Sequence, residues 1–146
     1  MTGRHAHPTS GSMASIFTRI IQDEIPCHRV AESEHCLAFL DINPIARGHT
    51  LVVPKVEVDA FFDLDDEMLA RLMVFAKQVA QAIARAIECK RVGVMVVGTE
   101  VPHAHVHLIP FQKERQVSVT APKLKFAAEE LAEIAALIRG RMIEVG

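Results

Sequence analysis

The sequence predicts an α+β fold: a five-stranded antiparallel sheet, a long helix and a C-terminal helix. Three observations carry this. Short runs of β-branched and apolar residues, bounded by turn residues, occur on both sides of a central stretch with a different period. In that stretch apolar residues recur at three- and four-residue steps, the signature of an amphipathic helix. Sequential strands joined by short turns, as in the first three and the last two, favour antiparallel pairing.

Bulk properties narrow the function. The 146 residues suit one domain able to bury a core, and 50% hydrophobic and 23% charged content is ordinary for a globular protein. A net charge of -2 gives no general attraction to nucleic acid or to an anionic membrane, so any anion site is local. Cys27, Cys36 and Cys89 have no metal-type spacing and cannot all pair within one chain. With no signal peptide in view, a reducing cytoplasm is expected. No apolar run approaches the roughly 20 residues that span a bilayer.

In chain order, Met1 to Ser12 carries Gly, Pro, Ser and Thr without apolar periodicity and reads as a flexible arm or leader. Residues 13–146 are read as the single domain, with Met13 a candidate native start. Ser15 can cap a short helix holding Ile16, Phe17, Ile20 and Ile21, stopped before Pro26. Arg29 to Glu32 and Cys36 to Leu40 read as a hairpin around Ser33-Glu34-His35. After Asp41-Ile42-Asn43-Pro44, Arg47-Gly48 makes a turn into a third strand, His49 to Pro54.

Asp63 to Asp66 supplies cap oxygens and first-turn carboxylates for the long helix. Its apolar stripe runs through Met68, Leu72, Phe75, Val79, Ala82 or Ile83, and Ala86, ending near Cys89. Arg91 to Val97 is apolar on both faces and is therefore predicted as a central strand. Lys113 to Lys125 reads as a loop. Ala127 to Arg139 is the closing helix, with Leu131, Ile134, Ala135 and Ile138 inward and Gly140 placed as a C′ residue.

The chemistry concentrates between Glu100 and Pro110, EVPHAHVHLIP. His103, His105 and His107 alternate with Ala104, Val106 and Leu108, so on a strand the three imidazoles share one face. At about 3.3 Å per residue, His103 and His107 lie roughly 13 Å apart along the backbone. Three convergent metal ligands would then need a strong bend. Buried as mere structure, each ring nitrogen would need a partner. A metal site is a second reading, with His49 as a further ligand, although no Cys-x-x-Cys or His-plus-carboxylate cluster completes the set. The third is attack on phosphorus: one imidazole in the right tautomer attacks without losing a proton, while neighbours steady phosphate oxygens and leaving group. An unperturbed His pKa near about 6.5 would leave both protonation states available.

His103-Ala-His105-Val-His107-Leu-Ile resembles the signature of the histidine triad (HIT) family, in which three histidines alternate with apolar residues. IFTRIIQDEIP from Ile16 is similar to that family's opening helix, and CLAFLDINP from Cys36 and GHTLVVPK from Gly48 to its nucleotide-binding strands. The likeness runs from about Ser15 to Pro110, in matching order.

The resemblance implies a HIT-like fold and a homodimer that extends the sheet. It also implies hydrolysis of a purine nucleoside phosphoramidate, acyl-nucleotide or dinucleoside polyphosphate through a covalent nucleotidyl-histidine. A nucleotidyl transferase or a nucleotide-binding regulator with incidental turnover are the alternatives; His107 keeps the hydrolase pattern, since the transferase branch has Gln there. By this resemblance His105 is the nucleophile, and His107 binds a phosphate oxygen or assists the leaving group. His103 and His49 support the active ring. Asp41 accepts from ribose hydroxyls, although on residues alone it reads as a turn residue. Ile16, Phe17, Ile20, Phe39 and Ile42 wall the base. The short link Gly98 to Pro102 lacks the amides of many relatives, leaving backbone N–H groups and Thr99 to meet phosphate, and Glu100 near a phosphate would be repulsive unless it turns away. Zinc-bearing relatives have a Cys pair where Ser15 and Thr18 stand here, so neither structural zinc nor another cofactor is expected.

Overall fold

The structure, a computed structural model, describes residues 14–98 and 100–143. The arm at residues 1–12 and Thr99 lie outside the described residues. The elements, in order, are α1 (Ile16–Ile21), β1 (Arg29–Glu32), β2 (Cys36–Leu40), β3 (Thr50–Pro54), α2 (Asp66–Ala86), β4 (Arg91–Met95), β5 (Val106–Phe111) and α3 (Ala128–Arg139). The five strands form one antiparallel sheet in the order β1-β2-β3-β5-β4. The element order and sheet type are those expected.

The helix starts follow from their caps. Ser15 Oγ accepts from the Thr18 N–H and Asp65 from the Met68 N–H, satisfying donors that the first helical turn leaves free. Asp66 and Glu67 add negative charge at the N-terminus of α2. At the far end of α3, Gly140 sits in right-handed backbone, φ −67°, and donates to Ala136 O at 2.9 Å. It therefore ends the helix without the left-handed turn expected of a C′ glycine.

The alternation of side chains divides the sheet into two faces. Ala38 and Leu40 of β2, Val52 of β3, and Val106 and Leu108 of β5 pack with Leu72, Val79 and Ile83 of α2 and with Ile134 and Ile138 of α3. The opposite face carries Leu37, Phe39, Leu51 and Val53, covered by Phe17 and Ile20 of α1, with Ile21, Ile25, Cys27 and Val101 partly buried against them.

Two sequence-based expectations are corrected. Arg91–Met95 is an edge strand, not a central one, and Val94, Val96 and Val97 along it are exposed. Apolar residues on both faces mark burial only if something covers them, and within one chain nothing described does. The histidine strand also begins later than expected. β5 starts at Val106, so His103 and His105 precede the ladder. Their segment is held by other bonds: Ala104 N–H donates to Val58 O at 2.7 Å and His103 N–H to Val101 O at 2.8 Å. The three imidazoles nevertheless face the same side, away from Ala104 and Val106, which lie in the main core.

Candidate active site

On the thinly covered face lies a cavity of about 620 Å³. The apolar residues assigned to a base slot (Ile16, Phe17, Ile20, Phe39 and Ile42) all line it, and so do Asp41, His49, His105 and His107. His103 is fully buried behind them. A second groove, about 610 Å³, runs between β1 and the two longer helices and holds no histidine.

Hydrogen bonds fix the tautomer of each ring, because a carbonyl only accepts and a backbone N–H only donates. His105 Nδ1 lies 2.7 Å from the His103 carbonyl, so Nδ1 carries the proton and Nε2 keeps its lone pair. Phe17 meets the same ring edge-on, with centroids 5.0 Å apart. Gly98 passes directly beside it. Its φ is +63°, and a Cβ there would stand 3.0 Å from His105 Cε1, so glycine is needed for both backbone and space.

The Ile45 N–H donates to His49 Nδ1 at 3.1 Å, which leaves the proton on Nε2. That nitrogen lies 2.9 Å from His107 Nδ1, so His107 accepts there and presents an N–H at Nε2. Burial pushes both pKa values down to about 4, with Asp41 opposing the shift at His49 and the neighbouring histidines adding to it at His107. Both rings are thus neutral at pH 7, not poised between forms as expected from the unperturbed value. The resemblance gives His49 a supporting role, and its ring partner in the structure is His107.

Asp41 Oδ1 accepts from the Asn43 N–H at 2.8 Å, while Oδ2 lies 3.6 Å from His49 Nε2. Asp41 is therefore both a turn residue and a wall of the cavity. Asp41, His49 and His107 lie close enough to suggest a metal site. The donor set does not fit one. A ligating histidine donates its second N–H outward, yet at His49 that position receives the Ile45 N–H. Metal at Nε2 would leave two protons facing each other, or an imidazolate.

Behind the triad, His103 Nε2–H donates to Pro54 O at 2.8 Å and Nδ1 accepts from Ser15 Oγ at 2.8 Å. Burial lowers the pKa of this ring too, despite the Pro54 carbonyl and Glu57. Glu57 accepts from the Ser15 N–H at 2.9 Å and from the Thr18 hydroxyl. Burial works against its carboxylate, but these hydrogen bonds and His103 outweigh it and hold its pKa below the usual value. A continuous path thus runs from Glu57 through Ser15 and His103 to His105.

This site carries the residue pattern of a known family. The chain matches the HIT domain over residues 22–114, about two thirds of its length.

The chain belongs to the HIT family.

Relatives agree. An adenosine 5'-monophosphoramidase of Saccharomyces cerevisiae is 36% identical over 115 residues, covering 78% of this chain and 73% of the relative. One from Schizosaccharomyces pombe is 34% identical, covering 82% and 91%. Among solved structures, a HIT-like protein of Bartonella henselae involved in cell-cycle regulation superposes with a TM-score of 0.79 at 34% identity, covering 88% and 96%. A zinc-bound histidine triad family protein of Mycobacterium smegmatis gives 0.76 at 26% identity, covering 90% and 94%.

Sequence reasoning missed several residues of this HIT protein's site. Leu51 lines the cavity two positions after His49, and the strand period could have marked it. Glu57 carries no local signal, because its partners are far along the chain. Lys123, read only as loop, reaches the cavity because the Leu124 N–H donates to Pro44 O at 2.7 Å. Glu100 also lines the cavity.

Proposed function

We propose that this protein hydrolyses nucleoside 5'-phosphoryl compounds through a nucleotidyl group carried on His105 Nε2. The observation that carries the reading is the 2.7 Å bond from His105 Nδ1–H to the His103 carbonyl, which directs the lone pair to Nε2 in a ring lining the cavity. The names of the two yeast relatives support the same class of reaction.

The base would lie among Phe17, Phe39 and the isoleucines, with a ribose hydroxyl on Asp41. Nε2 bonds to the α-phosphorus as the bond to the departing nitrogen or oxygen breaks, and the departing atom keeps the electron pair. A nitrogen takes up a proton from water; a phosphate oxygen leaves as the anion. The imidazole becomes a cation, with its Nδ1–H held on the His103 carbonyl. His107 Nε2–H donates to a phosphate oxygen, and His49 keeps His107 in that tautomer. Water then adds its oxygen to phosphorus, the P–Nε2 bond breaks with its pair returning to nitrogen, and one proton passes to solvent. The test is AMP release from adenosine 5'-phosphoramidate by purified protein, expected in wild type and lost in His105→Ala. Nucleotide binding without AMP release would instead leave a nucleotide-binding protein.

We also propose that two copies pair along β4, whose Val94, like Val97 just beyond it, is more than half exposed on the edge of the sheet. Sedimentation should give a dimer, and Val94→Glu should shift it toward monomer. A wild-type monomer at all concentrations would end this proposal. We propose as well that the protein acts in the cytoplasm. Among the described residues, no helix is long and apolar enough to cross a membrane.

A further inference from the structure

The ring assigned to attack is oriented by a segment that the sheet does not hold. β5 begins at Val106, so the His103 carbonyl, which accepts from His105 Nδ1–H, precedes the ladder. Bonds from elsewhere in the chain fix it instead. Pro54 O accepts from His103 Nε2–H at 2.8 Å, and Val58 O accepts from the Ala104 N–H at 2.7 Å. The far side of the His103 ring is held by α1, whose capping Ser15 hydroxyl donates to Nδ1 at 2.8 Å. Glu57, one position before Val58, grips that helix turn twice with one atom. Its Oε1 accepts from the Ser15 N–H at 2.9 Å and from the Thr18 hydroxyl. Thr18 Oγ1 lies 3.3 Å from His103 Nδ1, but its proton is committed to the carboxylate, which leaves Ser15 as the donor to the ring. Between Ser15 and Thr18 stand Ile16 and Phe17, which wall the cavity. Phe17 also meets the His103 and His105 rings edge-on, with centroids 5.8 and 5.0 Å away. One helical turn thus touches the base slot and the triad together.

We propose that Glu57 is a positioning residue: by pinning the first turn of α1 to His103, it makes the base wall and His105 one rigid frame. This rests on the hydrolase reading above. A phosphorus placed by its base then meets His105 Nε2 in line. A base wall free to move by itself would still bind nucleotide but would misdirect the attack. The role calls for hydrogen-bond acceptance, not for charge. Both bonds end on one oxygen, and an amide oxygen also has two lone pairs, so a glutamine at this position can keep both. Ser15 and His103 are buried, so water does not readily replace a lost partner.

The test compares adenosine 5'-phosphoramidate with the 5-phosphoramidate of 1-O-methylribose, which lacks the base, in wild type, Glu57→Ala and Glu57→Gln. The ratio of the two kcat values measures what base placement adds to the chemical step. It should fall about tenfold in Glu57→Ala and recover in Glu57→Gln. Loss of stability alone would reduce the amount of active protein, lower both kcat values together and leave their ratio unchanged. An unchanged ratio in Glu57→Ala, or an equal fall in Glu57→Gln, overturns the inference. If the wild type turns over neither compound, the hydrolase reading fails on its own. The imidazole nitrogen resonances of His105 at saturating adenosine then decide. Adenosine, which has no phosphorus, should shift them in wild type and in Glu57→Gln and much less in Glu57→Ala. Equal shifts in all three proteins, or none in wild type, overturn the inference.

Discussion

The two faces of the sheet are built from the same strands and do opposite work. One face is sealed by α2 and α3 over fully buried aliphatic side chains, among them Leu72, Ile83, Leu108 and Ile138. The other is covered by the short α1 with Ile25, Cys27 and Val101 beside it, and keeps a cavity lined by two of the three triad histidines. The alternation of β5 separates them residue by residue, with Val106 and Leu108 in the core and His107 in the cavity wall. What the difference teaches is that stability and chemistry can be separated by one step in register.

The comparison is broken most severely on the sealed side. Ile83→Ala removes a fully buried side chain from the centre of that core. It should cost about 2–5 kcal/mol of stability in urea denaturation, while KM for nucleotide at low temperature stays near the wild-type value. A comparable rise in KM would mean that the faces are not independent.

The next effect belongs to the site face and depends on pH. In the unfolded chain His49 and His107 take up a proton near pH 6.5, and in the folded protein only near pH 4. Between these values the unfolded state binds more protons, so stability falls as the pH drops through that window and is unaffected by these groups above it. The loss should be on the order of 3 kcal/mol for each of the two rings at the acid end. Denaturation midpoints measured from pH 7 to 4 would show it, and the slope should shrink in His49→Phe.

Removing the His49 ring also tests the tautomer assignment. His49→Ala frees His107 Nδ1 and should lower kcat by about a hundredfold, with a smaller change in KM. A pure KM effect would show that His49 serves binding instead. Smallest is Glu57→Ala, which removes the acceptor of Ser15 and Thr18 at the start of α1. It should cost about 1–2 kcal/mol and speed amide exchange in α1, with KM rising because Ile16, Phe17 and Ile20 of α1 line the cavity. Exchange in α1 unchanged from wild type would rule out that latch.

Much of this was legible in the sequence, for physical reasons that differ between the faces. The core face declares itself by period, since Leu72, Val79 and Ile83 repeat along a helix and Val106 and Leu108 along a strand. The triad declares itself because three polar rings on one side of a strand are costly unless used. The start of β5 was misplaced because the His103 carbonyl serves the His105 ring, a bond between side chain and backbone that periodicity does not register. β4 was misplaced because an apolar edge strand and an apolar central strand carry the same residue pattern. Glu57 and Lys123 were invisible for a third reason: both reach the site through contacts distant in sequence, with no local pattern to mark them.

The central claim is that His105 Nε2 becomes bonded to phosphorus. Intact-protein mass spectrometry under acid-free conditions, after brief exposure to diadenosine triphosphate, tests it most directly. One adenylyl group should appear on wild-type protein, map to His105 and be absent in His105→Ala. An adduct on His103 or His107, or sustained turnover in His105→Ala, would contradict it.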